Sequence, residues 1–276
     1  MKVKITVLCD NVAGYGYWAE WGLSLFLEYE GKKILFDTGM TSVVGKNARQ
    51  AKIDLSSLDS IVLSHGHSDH TGGLHNLLKY IGTTVPVIAH PDIWDGKYFL
   101  NDAGEYDFCG IPFRREELES RGAWFHLTRE SYEISDTIFT TGEVEMTNNY
   151  EQIDSDLFIK AGEIFQPDPM NDDLSLVIRT DQGLVIVTGC AHRGIVNTIC
   201  HAQKQAGEKR IFAVIGGFHL YQASEARIDQ TIRSLIDLDV QKVCPCHCTG
   251  FYTMTRIYYN LPDRFHFIGT GTGLEI

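Results

Sequence analysis

The chain has 276 residues, 43% hydrophobic and 22% charged, an ordinary globular composition with enough apolar side chains for a sizeable core. Its 24 Lys and Arg against 36 Asp and Glu give a formal charge of -12, and with no basic run to offset it a nucleic-acid backbone is excluded as an expected partner. No apolar stretch has the length of a membrane span, and the N-terminal MKVKITVLCDN alternates like a strand rather than reading as a signal peptide, so a cytoplasmic chain with no membrane partner is expected.

Residues 1–60 predict strands separated by turns. In LSLFLEYEGKKILFDTG two β-runs meet at EGKK, a hairpin signal, and the second ends at Asp37-Thr38-Gly39. SIVLS is a short buried strand that runs directly into SHGHSDH, residues 64–70. TGGLHNLLKYI comes next, with Leu74, Leu77, Leu78 and Ile81 at helical spacing. Three histidines and an aspartate therefore lie on a strand-to-helix loop, where open α/β folds place ligands. Residues 91–170 carry aromatics and charges without a long period. They are expected to form an irregular cap insertion within a single domain spanning 1–276.

The C-terminal third alternates strand and helix. GLVIVTGC predicts a buried strand, and GIVNTICHAQKQAG a helix closed by Gly207. RIFAVIGGFH is the next strand, SEARIDQTIRSLIDLD a helix with Ile228, Ile232, Leu235 and Ile236 on one side, and QKVCPCHCTG a strand and loop. If these strands are parallel, their C-terminal ends share one edge. That edge would gather Cys190, His192, His219 and His247, and is expected to face the His65 loop.

His65 and His67 are two apart on extended backbone, so both rings can serve one ion. Asp69 and His70 come as the chain enters the helix and suit a second ion. Neutral imidazoles with few anionic ligands favour zinc, with iron, manganese or nickel as alternatives, over calcium or magnesium. One loop cannot complete two coordination shells, so the strand-end residues are the expected remainder. The loop offers His65, His67, Asp69 and His70, and the strand ends offer Cys190, His192, His219 and His247, around one or two divalent transition metal ions. The plainer account of SHGHSDH, a solvated polar turn, does not explain the downstream histidines.

SHGHSDHTGG resembles the signature loop of the metallo-β-lactamase superfamily. ILFDTG is similar to its first motif, and CPCHCTG to its last metal histidine. The resemblance covers nearly the whole chain and implies a four-layer αβ/βα sandwich. DDLSLVI, TGCAHRGIVNT, IGGFHL and HCTG together resemble a subgroup of poorly characterised hydrolases and proteins like an archaeal enzyme of methanopterin biosynthesis. The chain departs from the family at Gly189-Cys190, where many members carry a Gly-Asp pair whose aspartate bridges two metals. Either the Cys190 thiolate takes that role, or His192 does and Cys190 is only buried beside it. No histidine matches the third motif, although Glu143 and Glu145 lie in that region. Asp37 is read as orienting a metal-bound histidine and not as a ligand.

The function implied is a metal-dependent hydrolase acting on an ester, phosphoester or lactone-like small molecule, anionic ones included. Asp69 would orient or deprotonate the water, and His219, if it is not a metal ligand, would protonate the leaving group. The alternative is a pterin-linked transferase in which the metal centre assists loss of diphosphate. Trp18, Trp21, Trp94 and the tyrosines of AGYGYW and GKYF are available to stack a pterin-like substrate, although core or lid packing is the plainer account of them. A redox di-iron centre would need an electron-donor domain for which the chain has no room. The seven scattered cysteines are read as free thiols in a reducing compartment. A homo-oligomer is left open.

Overall fold

The fold is described from a computed structural model covering residues 2–276. Strands β1 Lys4–Cys9, β2 Ser24–Tyr29 and β3 Lys32–Phe36 are followed by helix α1 Val43–Gln50, strand β4 Ser60–Val62 and the one-turn helix α2 Ser68–Thr71. Next come α3 Leu74–Ile81, β5 Val85–Ala89, β6 Lys97–Leu100, β7 Tyr106–Phe108, α4 Arg115–Ser120 and β8 Ala123–Leu127. Strands β9 Ile138–Thr140, β10 Leu157–Ala161, β11 Ile164–Pro167, β12 Ser175–Thr180 and β13 Gly183–Thr188 lead to helix α5 Ile195–Ala206. The chain closes with β14 Ile211–Gly217, α6 Glu225–Asp237, β15 Lys242–Cys246, α7 Phe251–Asn260 and β16 Gly273–Glu275.

These elements form two compact units. Among the described residues, the first comprises 2–129, Ile153–Asp172 and Gly269–Ile276. Its main sheet has the order β16-β1-β2-β3-β4-β5-β8. It is antiparallel from β16 to β3 and parallel from β3 to β8. The β2–β3 hairpin turns on Glu30 and Gly31, both at positive φ, as a two-residue connection of matching twist requires. On α3 the residues that bury are Leu74, Leu77, Leu78 and Ile81, the stripe that the spacing predicts. They pack with Val43, Val44 and Ala48 of α1 against Leu8, Phe26, Leu35 and Ile61 of the sheet. Each fully buried leucine or isoleucine contributes roughly 1.5–3 kcal/mol.

The segment without a sequence period carries short strands and one short α-helix between longer irregular stretches. Its strands β11-β10-β6-β7 make a four-stranded antiparallel sheet, while β8 and β9 join the larger sheets. Strands of three to five residues are too short to display alternation. This small sheet is held by aromatic pairs instead: Tyr106 stacks on Phe165 with ring centroids 3.8 Å apart, and Tyr98 meets Phe108 and Phe165 edge-on.

The second unit comprises Glu130–Gln152 and Asp173–Ile268. Its sheet has the order β15-β14-β13-β12-β9, with β13, β14 and β15 parallel and the other pairings antiparallel. Helix α5 ends at Gly207, in left-handed conformation. At its other end the buried Glu151 carboxylate accepts the Val196 and Asn197 N–H groups at 2.9 and 2.8 Å. The stripe on α6 is Ile228, Thr231, Ile232 and Leu235. Ile236, expected on that side, is instead 43% exposed, because it lies at the edge of the stripe and the smaller Thr231 fills the buried place.

Candidate metal centre

In the first unit, β3 and β4 run parallel and deliver Asp37 and Ser64 side by side. Asp37 is fully buried and holds φ +60, a left-handed conformation that a non-glycine residue adopts only where the surroundings compensate. Its carboxylate accepts the Ser64 N–H and Oγ–H, each at 2.7 Å, and its Oδ2 lies 2.7 Å from His70 Nδ1. Ser64 Oγ is in turn 2.9 Å from His65 Nδ1. One buried carboxylate thus fixes the orientation of two imidazoles. His65 Nε2 lies 3.0 Å from His67 Nδ1, and the His65 and His70 rings are 4.2 Å apart. Asp69 Oδ2 is 3.6 Å from His70 Nε2.

The glycines of the motif are required by close approach. A Cβ on Gly73 would meet the Thr38 carbonyl oxygen at 1.9 Å, and one on Gly72 the Met40 carbonyl oxygen at 2.4 Å. Gly66 donates its N–H to Asp172 at 2.8 Å, and a Cβ there would meet the Ile93 carbonyl oxygen at 2.6 Å. Behind Gly66, Lys97 is buried with its ammonium 2.8 Å from Asp168 and 2.9 Å from Asp172. Burial pushes the Asp172 carboxyl up, against the opposing pull of Lys97. Ser68 donates its N–H to the Cys109 carbonyl at 2.7 Å. Burial, then the Asp69 carboxylate, pushes the Cys109 thiol up to about 12.

In the second unit the ends of β13, β14 and β15 carry Cys190, His219 and His247 to one edge, as the parallel alternation predicts. Ala191, His219 and His247 all hold positive φ at these ends. The Gly216-Gly217 pair lets β14 lie against its neighbour: Cβ atoms there would meet the Thr188 and Gly189 carbonyl oxygens at 2.1 and 2.4 Å. The His192 and His219 rings are 4.0 Å apart. Cys248, which the sequence pattern does not single out, is buried beside them. Burial raises its thiol pKa, but contacts with Cys190, His219 and His247 outweigh this and bring it well below the ordinary value. Asp173 accepts the Arg193 N–H at 3.0 Å.

Other sequence candidates have structural assignments. Glu145 is exposed and pairs with Lys204 at 2.9 Å. His75 stacks on Phe113 and lies 3.0 Å from Glu117. Trp94 packs edge-on against Phe125, whereas Trp18 and Trp21 are half-exposed. The seven cysteines are all thiols, outside any disulfide.

The donor chemistry in both units, imidazoles with thiols and a carboxylate, fits a divalent transition metal better than an oxygen-seeking cation. Two units, each with a β-sheet carrying helices and with histidine-bearing loops at its strand ends, define an α/β protein with candidate metal-binding loops. Residues 22–247 match the Metallo-beta-lactamase superfamily. The chain belongs to that superfamily and has its fold, as the motif resemblance implies.

Among curated relatives, the chain is 37% identical to the 7,8-dihydropterin-6-methyl-4-(β-D-ribofuranosyl)-aminobenzene-5'-phosphate synthase of Methanocaldococcus jannaschii, over 98% of this chain and 95% of that protein. It is 32% identical to an uncharacterised protein of the same organism, over 92% and 93% of the two chains. Among solved structures, it matches one described as a metal-dependent hydrolase of the β-lactamase superfamily, with a TM-score of 0.87 and 31% identity over 99% of each chain. Among the described residues, no helix is long and apolar enough to cross a membrane.

Proposed function

We propose that the chain is a metal-dependent enzyme that hydrolyses an ester, phosphoester or lactone-like small molecule. Its ligands would be His65, His67, Asp69, His70, Cys190, His192 and His247, serving one or two ions, with zinc favoured. The observation that carries this reading is the pair of buried imidazoles, His65 and His70, oriented by Asp37 and Ser64, with His67 Nδ1 3.0 Å from His65 Nε2. When bound, a divalent cation lowers the pKa of water and polarises a carbonyl or phosphoryl oxygen. Asp69 orients or deprotonates the attacking water. Asp37 keeps His70 in the tautomer that presents Nε2. His219 protonates the leaving group or binds an anionic substituent, provided that it is not a metal ligand. The segment around 91–170 caps the active site of a single domain and carries specificity.

The test is metal analysis of the purified protein, followed by a panel of phosphodiesters, lactones, thioesters and β-lactams. A transition metal above trace level, lost in His67→Ala, together with turnover of one class, is expected. A metal-free protein, or a His67→Ala variant with unchanged metal content, sinks the proposal.

A second reading is pterin-linked synthesis, favoured by 37% identity over nearly full length to the methanogen synthase. Here a dihydropterin-methyl diphosphate would condense with a ribofuranosyl-aminobenzene phosphate and release diphosphate. The half-exposed Trp18 and Trp21 give this reading a fluorescence readout. Saturable quenching by a pterin supports it, and no change at millimolar pterin counts against it.

A further inference from the structure

Three donor atoms at the ends of β13, β14 and β15 lie together. The Cys190 and Cys248 sulfurs and a His219 ring nitrogen all lie within 4.8 Å of one another. Both cysteines are 2% exposed, and neither is in a disulfide. The backbone is built around the sulfurs. A Cβ on Gly217 would lie 2.6 Å from Cys248 Sγ, so the glycine leaves the space the thiol fills. The Cys248 carbonyl accepts the Leu220 and Tyr221 N–H groups at 3.2 Å, and its Sγ–H points to the Cys190 carbonyl at 3.8 Å. These contacts tie the loops after β13, β14 and β15 to one another at the cluster.

We propose that Cys190, His219 and Cys248 form a thiolate-rich transition-metal site in which Cys248 is a ligand. Two sulfurs and one imidazole are a soft set that selects zinc or iron(II) over manganese, magnesium or calcium. Three protein donors leave a position for water or a substrate atom, the pattern of a catalytic zinc site and not of a closed structural one. Both thiols release their protons to solvent on binding, and the two thiolates neutralise the dication. The assignment rests on the metal-dependent reading above and deepens it. It gives His219 to the metal, so the leaving-group role for His219 and this role exclude each other.

Cobalt(II) is the probe. The cobalt-loaded wild-type protein is expected to show thiolate-to-cobalt charge transfer in the near ultraviolet beside its d–d bands. Cys248→Ser and Cys190→Ser each weaken that absorption and the double variant abolishes it, whereas Cys244→Ser, outside the cluster, leaves it intact. Cobalt bound without charge transfer overturns the assignment, as does a Cys248→Ser spectrum identical to wild type. A protein that binds neither cobalt nor zinc overturns the metal-dependent reading itself, so the two failures are distinct. Zinc-edge X-ray absorption on the wild-type protein needs no variant: a sulfur shell at about 2.3 Å is expected, and nitrogen and oxygen neighbours alone overturn it.

Discussion

Asp37 Oδ2 lies 2.7 Å from His70 Nδ1, and both side chains are fully buried. A carboxylate in that place draws the ring proton to Nδ1 and leaves Nε2 as the available donor atom. Asp37→Asn preserves shape and tolerates the left-handed φ, but loses the charge. Metal affinity is expected to fall about 10–100-fold, read by chelator competition, with the circular dichroism of the wild type retained. An unchanged affinity would remove Asp37 from this role.

Lys97 sits between two buried carboxylates, and its removal leaves both uncompensated. Lys97→Met is expected to cost about 3–5 kcal/mol in chemical denaturation at neutral pH. The sign of the pH dependence is set by Asp172, whose carboxyl burial already pushes up. A raised carboxyl contributes stability that is present below its unfolded value and lost as pH rises through its folded one. Without Lys97 that carboxyl is raised further. The deficit of the variant should therefore shrink on mild acidification, and a deficit that grows would contradict the account.

Two glycines separate steric need from backbone conformation. Gly82 holds φ +67 in open space, so Gly82→Ala is expected to cost about 1–2 kcal/mol from the left-handed backbone alone. At Gly73 the obstacle is the Thr38 carbonyl, part of the main chain that cannot rotate away. Gly73→Ala should lower the melting temperature more than Gly82→Ala and should also weaken metal binding. Equal melting temperatures would show that the Thr38 strand end yields easily.

Chelation should lower the melting temperature, and added zinc should restore it. Free metal at a hundred times its dissociation constant stabilises a folded protein by about 2.7 kcal/mol, which corresponds to several degrees for a chain of this size. Calorimetry with and without chelator measures this. Coincident transitions would mean that the histidine loops fold without need of an ion.

Local patterns were readable where a side chain's role depends on near neighbours. Leu74, Leu77, Leu78 and Ile81 show their buried stripe in their spacing, and the same holds for the hairpin at Glu30-Gly31. The parallel alignment of β13, β14 and β15 was legible in the alternation of strand and helix, and with it the shared edge of Cys190, His219 and His247. Ile236 broke the pattern because helical periodicity locates the centre of a buried face more securely than its edge. Cys248 escaped notice because strand alternation assigns it a face, whereas the chain leaves the strand at His247, whose positive φ turns Cys248 away from the strand direction.

The sequence by itself determined the family, the α/β alternation and the crowding of imidazoles on one loop, since each is written in contiguous residues. Only the tertiary structure decided which groups hold that loop in place. Lys97 meets Asp168 and Asp172 across more than seventy residues, and Asp172 reaches Gly66 across more than a hundred. Such pairs leave no local period, because burial and chain topology bring them together.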